Sequence, residues 1–258
     1  GIEVPFEGGE YYALKDVPHG DIRMKRYYSE VSRSWRRFFV YTPAGYDTRT
    51  DEKYPVLYLL HGGGEDERGW GTQGKTDLIM DNLIAAGKAK PMLVVMLDGN
   101  MPSAGFNAGA LKAFEAELTQ AVIPFVEDNY RVRKEADSRA LAGLSMGGIQ
   151  TLYAGLYHTD LFAHLGVFSS GWLPFYQKIA DDQYEFINKN KAAIDSQLRL
   201  LWIAMGGKED IAYQNCQNML KEFDTLKLKY TYSEYPGGHT WPVWRNNLYH
   251  FAQLLFNK

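Results

Sequence analysis

Ser145 is the residue with the clearest chemical context in this sequence. It stands at the centre of Gly-Leu-Ser-Met-Gly (143–147), between the apolar run 139–142 and a segment rich in small residues. The pattern predicts a nucleophile elbow, a turn from strand to helix so sharp that the serine backbone is strained and its hydroxyl exposed. Side chains in place of Gly143 and Gly147 would collide with neighbouring backbone. The alternative is a glycine-rich turn that carries a chemically idle serine.

A serine hydroxyl needs a general base, and His239 is the best candidate. It lies in Tyr-Pro-Gly-Gly-His-Thr-Trp (235–241), a glycine-rich loop after the last predicted strand and before the last helix. When the partners follow the nucleophile in the order Ser, acid, His, a late loop at the carboxyl end of a strand is where the base belongs. His158 is expected to cap a helix, His164 to precede a strand, and His250 to lie within the final helix.

Asp210 is the predicted acid that orients the base and stabilises its protonated form. The strand over 198–205 runs into Gly-Gly-Lys-Glu-Asp (206–210), a tight turn with two adjacent carboxylates. Glu209 could serve in principle. One of the pair could instead cap the helix that follows, and Asp is the better capping residue.

Two backbone amides are expected to form an oxyanion hole for the charge that develops on the substrate carbonyl oxygen. Met146, directly after the nucleophile, supplies one. The segment 54–64 is an apolar strand that ends in His-Gly-Gly-Gly, and its glycines let backbone approach a substrate, so Gly63 is predicted to supply the other. A phosphate-binding loop is the alternative. It is disfavoured because the phosphate-loop spacing is absent and three acidic residues follow: Glu65, Asp66 and Glu67.

Strand-sized apolar runs alternate along the chain with segments of helical periodicity. The runs are Trp35–Tyr41, Val56–Leu60, Leu93–Leu97, Ala140–Leu144, Leu165–Phe168, Leu200–Met205 and Tyr230–Tyr235. Helical spacing covers 111–125 and 219–226. This alternation predicts the α/β class, with a mostly parallel twisted sheet and helices on both faces. Ligands collect at the carboxyl ends of such strands.

One catalytic domain over 1–258 is the expected organisation, because no linker-like stretch divides the chain. Two regions fit the alternation less well. Residues 1–30 form an N-terminal extension of uncertain role, and 175–196 is a helical insertion or a lid. We find no internal repeat.

Composition excludes several classes of function. The net charge of -3, without a dense basic run, gives no electrostatic footprint for nucleic acid. The longest apolar stretches, 55–60 and 92–97, are far shorter than a membrane-spanning helix. The single Cys216 excludes an intrachain disulfide and a cysteine-based zinc cluster. The chain begins at Gly1 and shows no signal peptide, so composition alone does not give a localisation.

The motifs together resemble a known family. Tyr-Leu-Leu-His-Gly-Gly-Gly-x5-Trp (58–70), Gly-Leu-Ser-Met-Gly-Gly (143–148), Gly-Gly-Lys-Glu-Asp (206–210) and Gly-Gly-His-x3-Val-Trp (237–244) look like the feruloyl and acetylxylan esterases of carbohydrate esterase family 1, in the esterase D and antigen 85 group. The resemblance runs from about Arg36 to the C-terminus. It implies an α/β-hydrolase fold, with Ser145 as nucleophile, Asp210 as acid and His239 as base.

The resemblance also implies a substrate and a setting. The substrate would be feruloylated or acetylated xylan or arabinoxylan oligosaccharides. The serine mechanism needs no cofactor, we expect no metal, and composition indicates no nucleic-acid or membrane partner. The protein would be secreted or periplasmic and part of a larger multidomain xylan-degrading enzyme. Similar motifs also occur in S-formylglutathione hydrolases, mycolyl transferases and siderophore esterases.

Aromatic residues near the motifs favour an aromatic or carbohydrate substrate, because their faces stack on phenolic or sugar rings. The candidates are Trp70, Trp172, Trp241 and Trp244. Leu173, Pro174 and Phe175 follow Trp172 and could form the wall of a pocket. Asp98-Gly99-Asn100, after another strand, is either a polar rim of the same site or a plain turn.

Three functions remain open from the sequence. The first is a serine esterase, with feruloyl favoured over acetyl groups. The second keeps the same triad but transfers the acyl group to a sugar hydroxyl or another acceptor. The third is a non-catalytic carbohydrate-binding domain, which is disfavoured because it need not retain nucleophile, base, acid and glycine loop together.

Overall fold

A single eight-stranded sheet forms the centre of the molecule. The computed structural model describes residues 8–102 and 107–257. The strands are β1 (Asp21–Ser29), β2 (Ser34–Thr42), β3 (Val56–Leu60), β4 (Leu93–Leu97), β5 (Arg139–Leu144), β6 (His164–Phe168), β7 (Leu200–Met205) and β8 (Thr231–Glu234). Their order is β1-β2-β4-β3-β5-β6-β7-β8. The β1–β2 and β2–β4 pairs are antiparallel, and the pairs from β4 to β8 are parallel.

The predicted mostly parallel sheet is therefore confirmed. Every residue of β3, β4, β5 and β6 is buried, because helices cover both faces of this part of the sheet. Strands buried on both faces consist of consecutive apolar residues, so the sequence analysis could locate them.

The edge strand β1 is a correction to the sequence analysis. Residues 1–30 were set apart as an extension, but Asp21–Ser29 pairs with the whole of β2. Most of β1 is exposed or half-buried, and only Tyr27 and Ser29 are buried. Charged residues alternate with apolar ones along this edge strand, so no apolar run reveals it in the sequence.

Nine helices occur in the part of the chain that the structure describes, together with short single turns. They are α1 (Gly69–Thr72), α2 (Thr76–Ala85), α3 (Ala108–Ala116), α4 (Ile123–Asn129), α5 (Met146–Tyr157), α6 (Gln177–Lys189), α7 (Lys191–Gln197), α8 (Tyr213–Thr225) and α9 (Trp241–Leu254). A stretch of wider π-helical turns, Glu117–Val122, joins α3 to α4. Three-residue 3₁₀ turns lie at Glu10–Tyr12, Ala136–Ser138 and Pro174–Tyr176. None of the described helices is long and apolar enough to span a bilayer.

Two apolar layers hold the helices against the sheet. On one face α1, α2 and α9 contribute Trp70, Leu83 and Phe251; on the other, α3, α5 and α8 contribute Phe114, Leu152 and Phe223. The helical alternative for 175–196 is also confirmed. Gln183 of α6 is fully buried and its Nε2 donates to the backbone oxygen of Leu152 at 2.9 Å, so α6 is part of the helical layer.

Burial of His164 should make the fold sensitive to mild acid. The side chain begins β6, its Nε2 donates to the backbone oxygen of Asp137 at 3.1 Å, and its buried Nδ1 has no partner among the described residues. Burial lowers the pKa of His164 from 6.5 to about 4. As pH falls from 6.5 to 4, His164 becomes protonated in the unfolded chain but stays neutral in the folded protein. This difference lowers the free energy of unfolding by up to about 3 kcal/mol.

We therefore predict that His164→Asn flattens this part of the stability profile. Urea unfolding of both proteins between pH 7 and pH 4 measures the difference in slope. If the free energy of unfolding changed equally with pH in the two proteins, whatever their difference at pH 7, His164 would not be the source of the acid sensitivity.

Candidate active site

The carboxyl ends of the parallel strands bring the predicted residues to one edge of the sheet. The loops after β3, β5, β7 and β8 carry Gly63, Ser145, Asp210 and His239 in turn. This is the edge at which α/β sheets bind ligands, because the segments that leave neighbouring parallel strands all meet there.

Ser145 lies between β5 and α5 in a strained backbone conformation. Its φ is 52° and ψ is -114°, which a residue with a side chain rarely adopts. A Cβ atom at Gly143 would lie 2.4 Å from the backbone of Gly147, and one at Gly147 would lie 2.6 Å from the backbone oxygen of His61. The predicted reason for both glycines is confirmed, since no side chain fits between strand, helix and the loop after β3.

A chain of hydrogen bonds joins the three predicted catalytic side chains. The Nε2 of His239 lies 2.9 Å from the Oγ of Ser145, and its Nδ1 lies 2.8 Å from the Oδ1 of Asp210. A carboxylate only accepts hydrogen bonds, so Nδ1 carries the hydrogen and Nε2 is free to accept from the serine hydroxyl. This arrangement can activate the serine as a nucleophile.

Asp210 is held in its charged form. Its side chain is fully buried, and burial alone would raise its pKa, but hydrogen bonds from His239 and from the backbone N–H of Ala212 hold the pKa below its ordinary value. The same Oδ1 atom thus bonds to the base and to the amide of Ala212 in the turn before α8, whereas α8 itself begins without a side-chain cap, so the capping alternative for Asp210 is not what the structure shows. Glu209 is exposed.

Gly63 and Met146 line one cavity together with Ser145 and His239. Its volume is about 270 Å³. We call it the catalytic cavity; the residues that complete its wall are Ile149, Ser169, Ser170, Gly171, Leu173, Ile211, Ala212 and Asn215. Among the described residues, no group of three or more His, Cys, Asp or Glu could hold a metal ion.

His61 is a contributor that the sequence analysis did not single out. It is fully buried, its Nδ1 lies 2.8 Å from the backbone oxygen of Gly62, and the N–H of Gly99 donates to its Nε2 at 3.0 Å. A carbonyl oxygen only accepts, so Nδ1 carries the hydrogen. The carbonyl of Gly62 and the N–H of Gly63 belong to one peptide group, so this bond fixes the direction of the predicted oxyanion donor. The signal in the sequence was the histidine directly before the three glycines.

Replacing His61 should therefore affect the transition state more than substrate binding. We predict that His61→Phe lowers kcat by about 10- to 100-fold with little change in KM, because a misdirected amide loses its bond to the developing oxyanion. His61→Gln, which keeps a donor, should recover part of the rate. Steady-state kinetics on an aryl ester, with circular dichroism to check folding, make the comparison. An unchanged kcat for the folded Phe variant would show that the loop holds its shape without this bond.

Glu65 joins the loop after β3 to the loop that carries the base. Its carboxylate accepts from the N–H of Gly62 at 3.2 Å and from the Nε1 of Trp241 at 2.8 Å. Asn100 donates to the backbone oxygen of Glu65 at 2.8 Å. Asp98-Gly99-Asn100 is thus more than a plain turn, since it supports the glycine loop from the side.

The four tryptophans predicted to contact substrate require a correction. Trp70 is only 1% exposed and its Nε1 donates to the backbone oxygen of Leu60 at 2.8 Å, so it belongs to the core. Trp241 and Trp244 are buried beside the base, where Trp244 packs edge-on against the His239 ring. Trp172 is buried against Tyr176. None of the four lines the catalytic cavity. All four pack within the protein, and Trp70 and Trp241 also hydrogen-bond to the segments around the glycine loop.

The cavity wall consists of other apolar residues. Leu173 was expected there as a neighbour of Trp172, whereas Ile149, Ile211 and Ala212 were not. Ile149 lies one helical turn after Ser145, and Ile211 directly follows Asp210. Closeness in sequence to the nucleophile and the acid was the available signal.

The sequence is similar to known proteins over most of its length. A family model named Esterase, described as "Putative esterase", matches residues 29–253. An "Endo-1,4-beta-xylanase/feruloyl esterase" of Xylanibacter ruminicola is 35% identical over 99% of this chain and 34% of its own length. "Endo-1,4-beta-xylanase Y" of Acetivibrio thermocellus is 27% identical over 95% of this chain and 24% of its own. The chain thus spans about a quarter to a third of these relatives.

A solved structure extends the comparison to the fold. The CE1 ferulic acid esterase of Anaeromyces mucronatus, in complex with ferulic acid, superimposes with a TM-score of 0.82 at 25% identity and covers 99% of this chain and 98% of its own. The α/β-hydrolase fold that the resemblance implied is confirmed. Because a family model matches most of its length, residues 29–253, this chain belongs to the Esterase family.

Proposed function

We propose that this chain is a serine esterase that removes feruloyl or related hydroxycinnamoyl groups from xylan through an acyl-enzyme. The observation that carries the proposal is the hydrogen-bonded chain from Ser145 through His239 to Asp210, which opens into the catalytic cavity. A hydroxyl, an imidazole and a buried carboxylate in this order form the arrangement that activates serine in acyl transfer.

The first half of the reaction forms the acyl-enzyme. Ser145 Oγ attacks the ester carbonyl carbon while His239 Nε2 takes the hydroxyl proton, and Asp210 stabilises the resulting imidazolium. The backbone amides of Gly63 and Met146 donate to the oxyanion of the tetrahedral intermediate. When the intermediate collapses, the carbonyl re-forms and the bond to the sugar oxygen breaks. His239 returns its proton to that oxygen.

The second half uses water in place of the sugar. His239 removes a proton from a water molecule, the hydroxide attacks the acyl-enzyme carbonyl, and the same amides hold the oxyanion. Collapse breaks the bond to Ser145 Oγ, which recovers its proton from His239, and the free acid leaves. No cofactor is needed.

A hydroxycinnamoyl ring suits the catalytic cavity better than an acetyl group. The side chain of Ile211 is 80% exposed, and it lines the cavity together with the apolar residues Leu173, Ile149 and Met146. Apolar surface that folding leaves uncovered gains free energy when an aromatic ring covers it, whereas acetate buries almost nothing. The feruloyl esterase named among the relatives and the structure in complex with ferulic acid support this choice.

The test compares methyl ferulate with an alkyl acetate of similar leaving-group reactivity. We predict a higher kcat/KM for methyl ferulate. We also predict that Ile211→Ser raises KM for methyl ferulate about fivefold and leaves KM for the acetate nearly unchanged, because the lost contact is with the ring. Leu14→Ser, at a similarly exposed residue away from the cavity, is the matched control.

Acetylated xylan, assayed beside these esters, decides between the acyl groups. A wild-type preference for acetate would replace the feruloyl proposal with the acetylxylan alternative. Equal effects of Ile211→Ser on both esters would remove this residue from the acyl site. Analysis of products formed with added sugar acceptors distinguishes hydrolysis from acyl transfer.

The setting of the activity is also a proposal. We propose that 1–258 is a single catalytic domain of a larger multidomain xylan-degrading enzyme that acts outside the cytoplasm on feruloylated arabinoxylan. The relatives named as xylanases support it, since this chain matches only a part of each.

A further inference from the structure

A second depression lies beside the catalytic cavity and has no role in the reaction described above. Its volume is about 540 Å³. Residues from the β1–β2 hairpin form one wall, and residues that follow the glycine loop and β4 form the other. We call it the hairpin groove; its lining includes Arg26, Trp35, Arg37, Asp66, Asp98 and Asn100.

The hairpin groove lies close to the catalytic cavity, because both share lining residues with a third cavity. A smaller cavity of about 110 Å³ lies between them, and it shares Met146 with the catalytic cavity and Asn100 and Met101 with the groove. A substrate longer than one ester group could therefore extend from Ser145 into the groove without leaving the protein surface.

Trp35 is the unusual feature of the groove, because its side chain is 72% exposed. Cross-strand pairing and one ring contact nevertheless restrain it. It pairs with Tyr28 across the hairpin, and the two rings meet edge-on with centroids 5.8 Å apart. The next residue, Arg36, is buried and donates to the backbone oxygens of Asp98 at 2.7 Å and Asn100 at 3.0 Å. An indole held in place at the wall of a groove is a ready platform for stacking.

The charges of the groove favour an uncharged polar ligand. Three arginines, Arg26, Arg36 and Arg37, are balanced by three carboxylates, Asp66, Glu67 and Asp98. Arg37 donates to Glu67, and Arg36 lies 3.9 Å from Asp98. A polyanion would meet as many negative as positive groups. A chain of neutral sugars instead offers hydroxyls to these charged groups and ring faces to the indole.

We propose that the hairpin groove binds the xylan main chain next to the esterified sugar, with Trp35 stacked on a pentose ring. This inference rests on the proposed function for its substrate. Its consequence is that Trp35 acts on long substrates and not on small esters, because methyl ferulate does not reach the groove.

The experiment compares Trp35→Ala with the wild type on methyl ferulate and on a feruloylated xylo-oligosaccharide. We expect kcat/KM for the oligosaccharide to fall about tenfold, through KM, with no change for methyl ferulate; loss of one stacking contact is of this order. Trp35→Phe should retain part of the effect. Met24→Ala, on the same hairpin but outside the groove, is the matched control, and thermal melting checks that all variants fold.

Binding of unesterified xylohexaose to Ser145→Ala, measured by calorimetry with and without Trp35→Ala, separates the two proposals. If the wild type cleaves no feruloyl ester, the proposed function fails, while weaker xylohexaose binding without Trp35 still supports the groove. If Trp35→Ala changes neither oligosaccharide kinetics nor xylohexaose binding, or lowers the rates on both esters equally, the groove assignment is wrong.

Discussion

Ser145→Ala is expected to lower kcat on methyl ferulate by about 10⁴- to 10⁶-fold while the protein stays folded. The Oγ of Ser145 is the only serine oxygen within hydrogen-bond distance of His239 Nε2 among the described residues, so no other hydroxyl takes its place. The amides and cavity that remain still bind the ester, which leaves a small residual rate. KM should therefore change far less than kcat.

The alanine variant is a fair test because it preserves the local backbone. Alanine keeps the Cβ atom, so the strain at φ 52° is the same as in the wild type. Ser138→Ala, just before the opposite end of β5, is the matched control and should keep full activity. A Ser145→Ala protein within tenfold of the wild-type rate would overturn the nucleophile assignment.

The elbow and the triad could be predicted because each depends on local sequence. Ser145 needs glycines at fixed spacing, and Asp210 and His239 follow strands whose apolar runs are unmistakable. Parallel strands then bring the three residues together whatever the details of packing. The positions of the three catalytic residues therefore depend more on the topology of the sheet than on particular side-chain contacts.

The residues that line the catalytic cavity could not be predicted in the same way. A tryptophan can stack on a substrate or fill the core, and the packing of distant segments decides which. Trp70 is covered by Phe168 and Trp241, which lie far away in sequence. The exposure of Ile211 depends likewise on how α8 leaves the turn after β7. The edge strand β1 was missed because charged residues interrupt its apolar ones, Ile22, Met24 and Tyr27, so the sequence shows no apolar run there.

The second large change in kcat is expected from the variants that test whether Asp210 or Glu209 is the catalytic acid. We predict that Asp210→Asn lowers kcat by about 10³- to 10⁴-fold, whereas Glu209→Gln changes it by less than about twofold. Asp210 is buried and accepts from His239 Nδ1, whereas Glu209 is exposed in the same turn. A neutral amide at residue 210 no longer stabilises the imidazolium that forms when His239 takes the serine proton.

The two neighbouring variants control for each other, because each removes one negative charge from the same turn. Asp210→Asn can also bond to the amide of Ala212 through its side-chain oxygen, so the start of α8 should remain intact and thermal melting should show a folded protein. A loss confined to kcat then reports on the imidazole and not on the helix. If Glu209→Gln lost more activity than Asp210→Asn, the acid would have to be reassigned, and the burial of Asp210 would be explained by its bond to Ala212 alone.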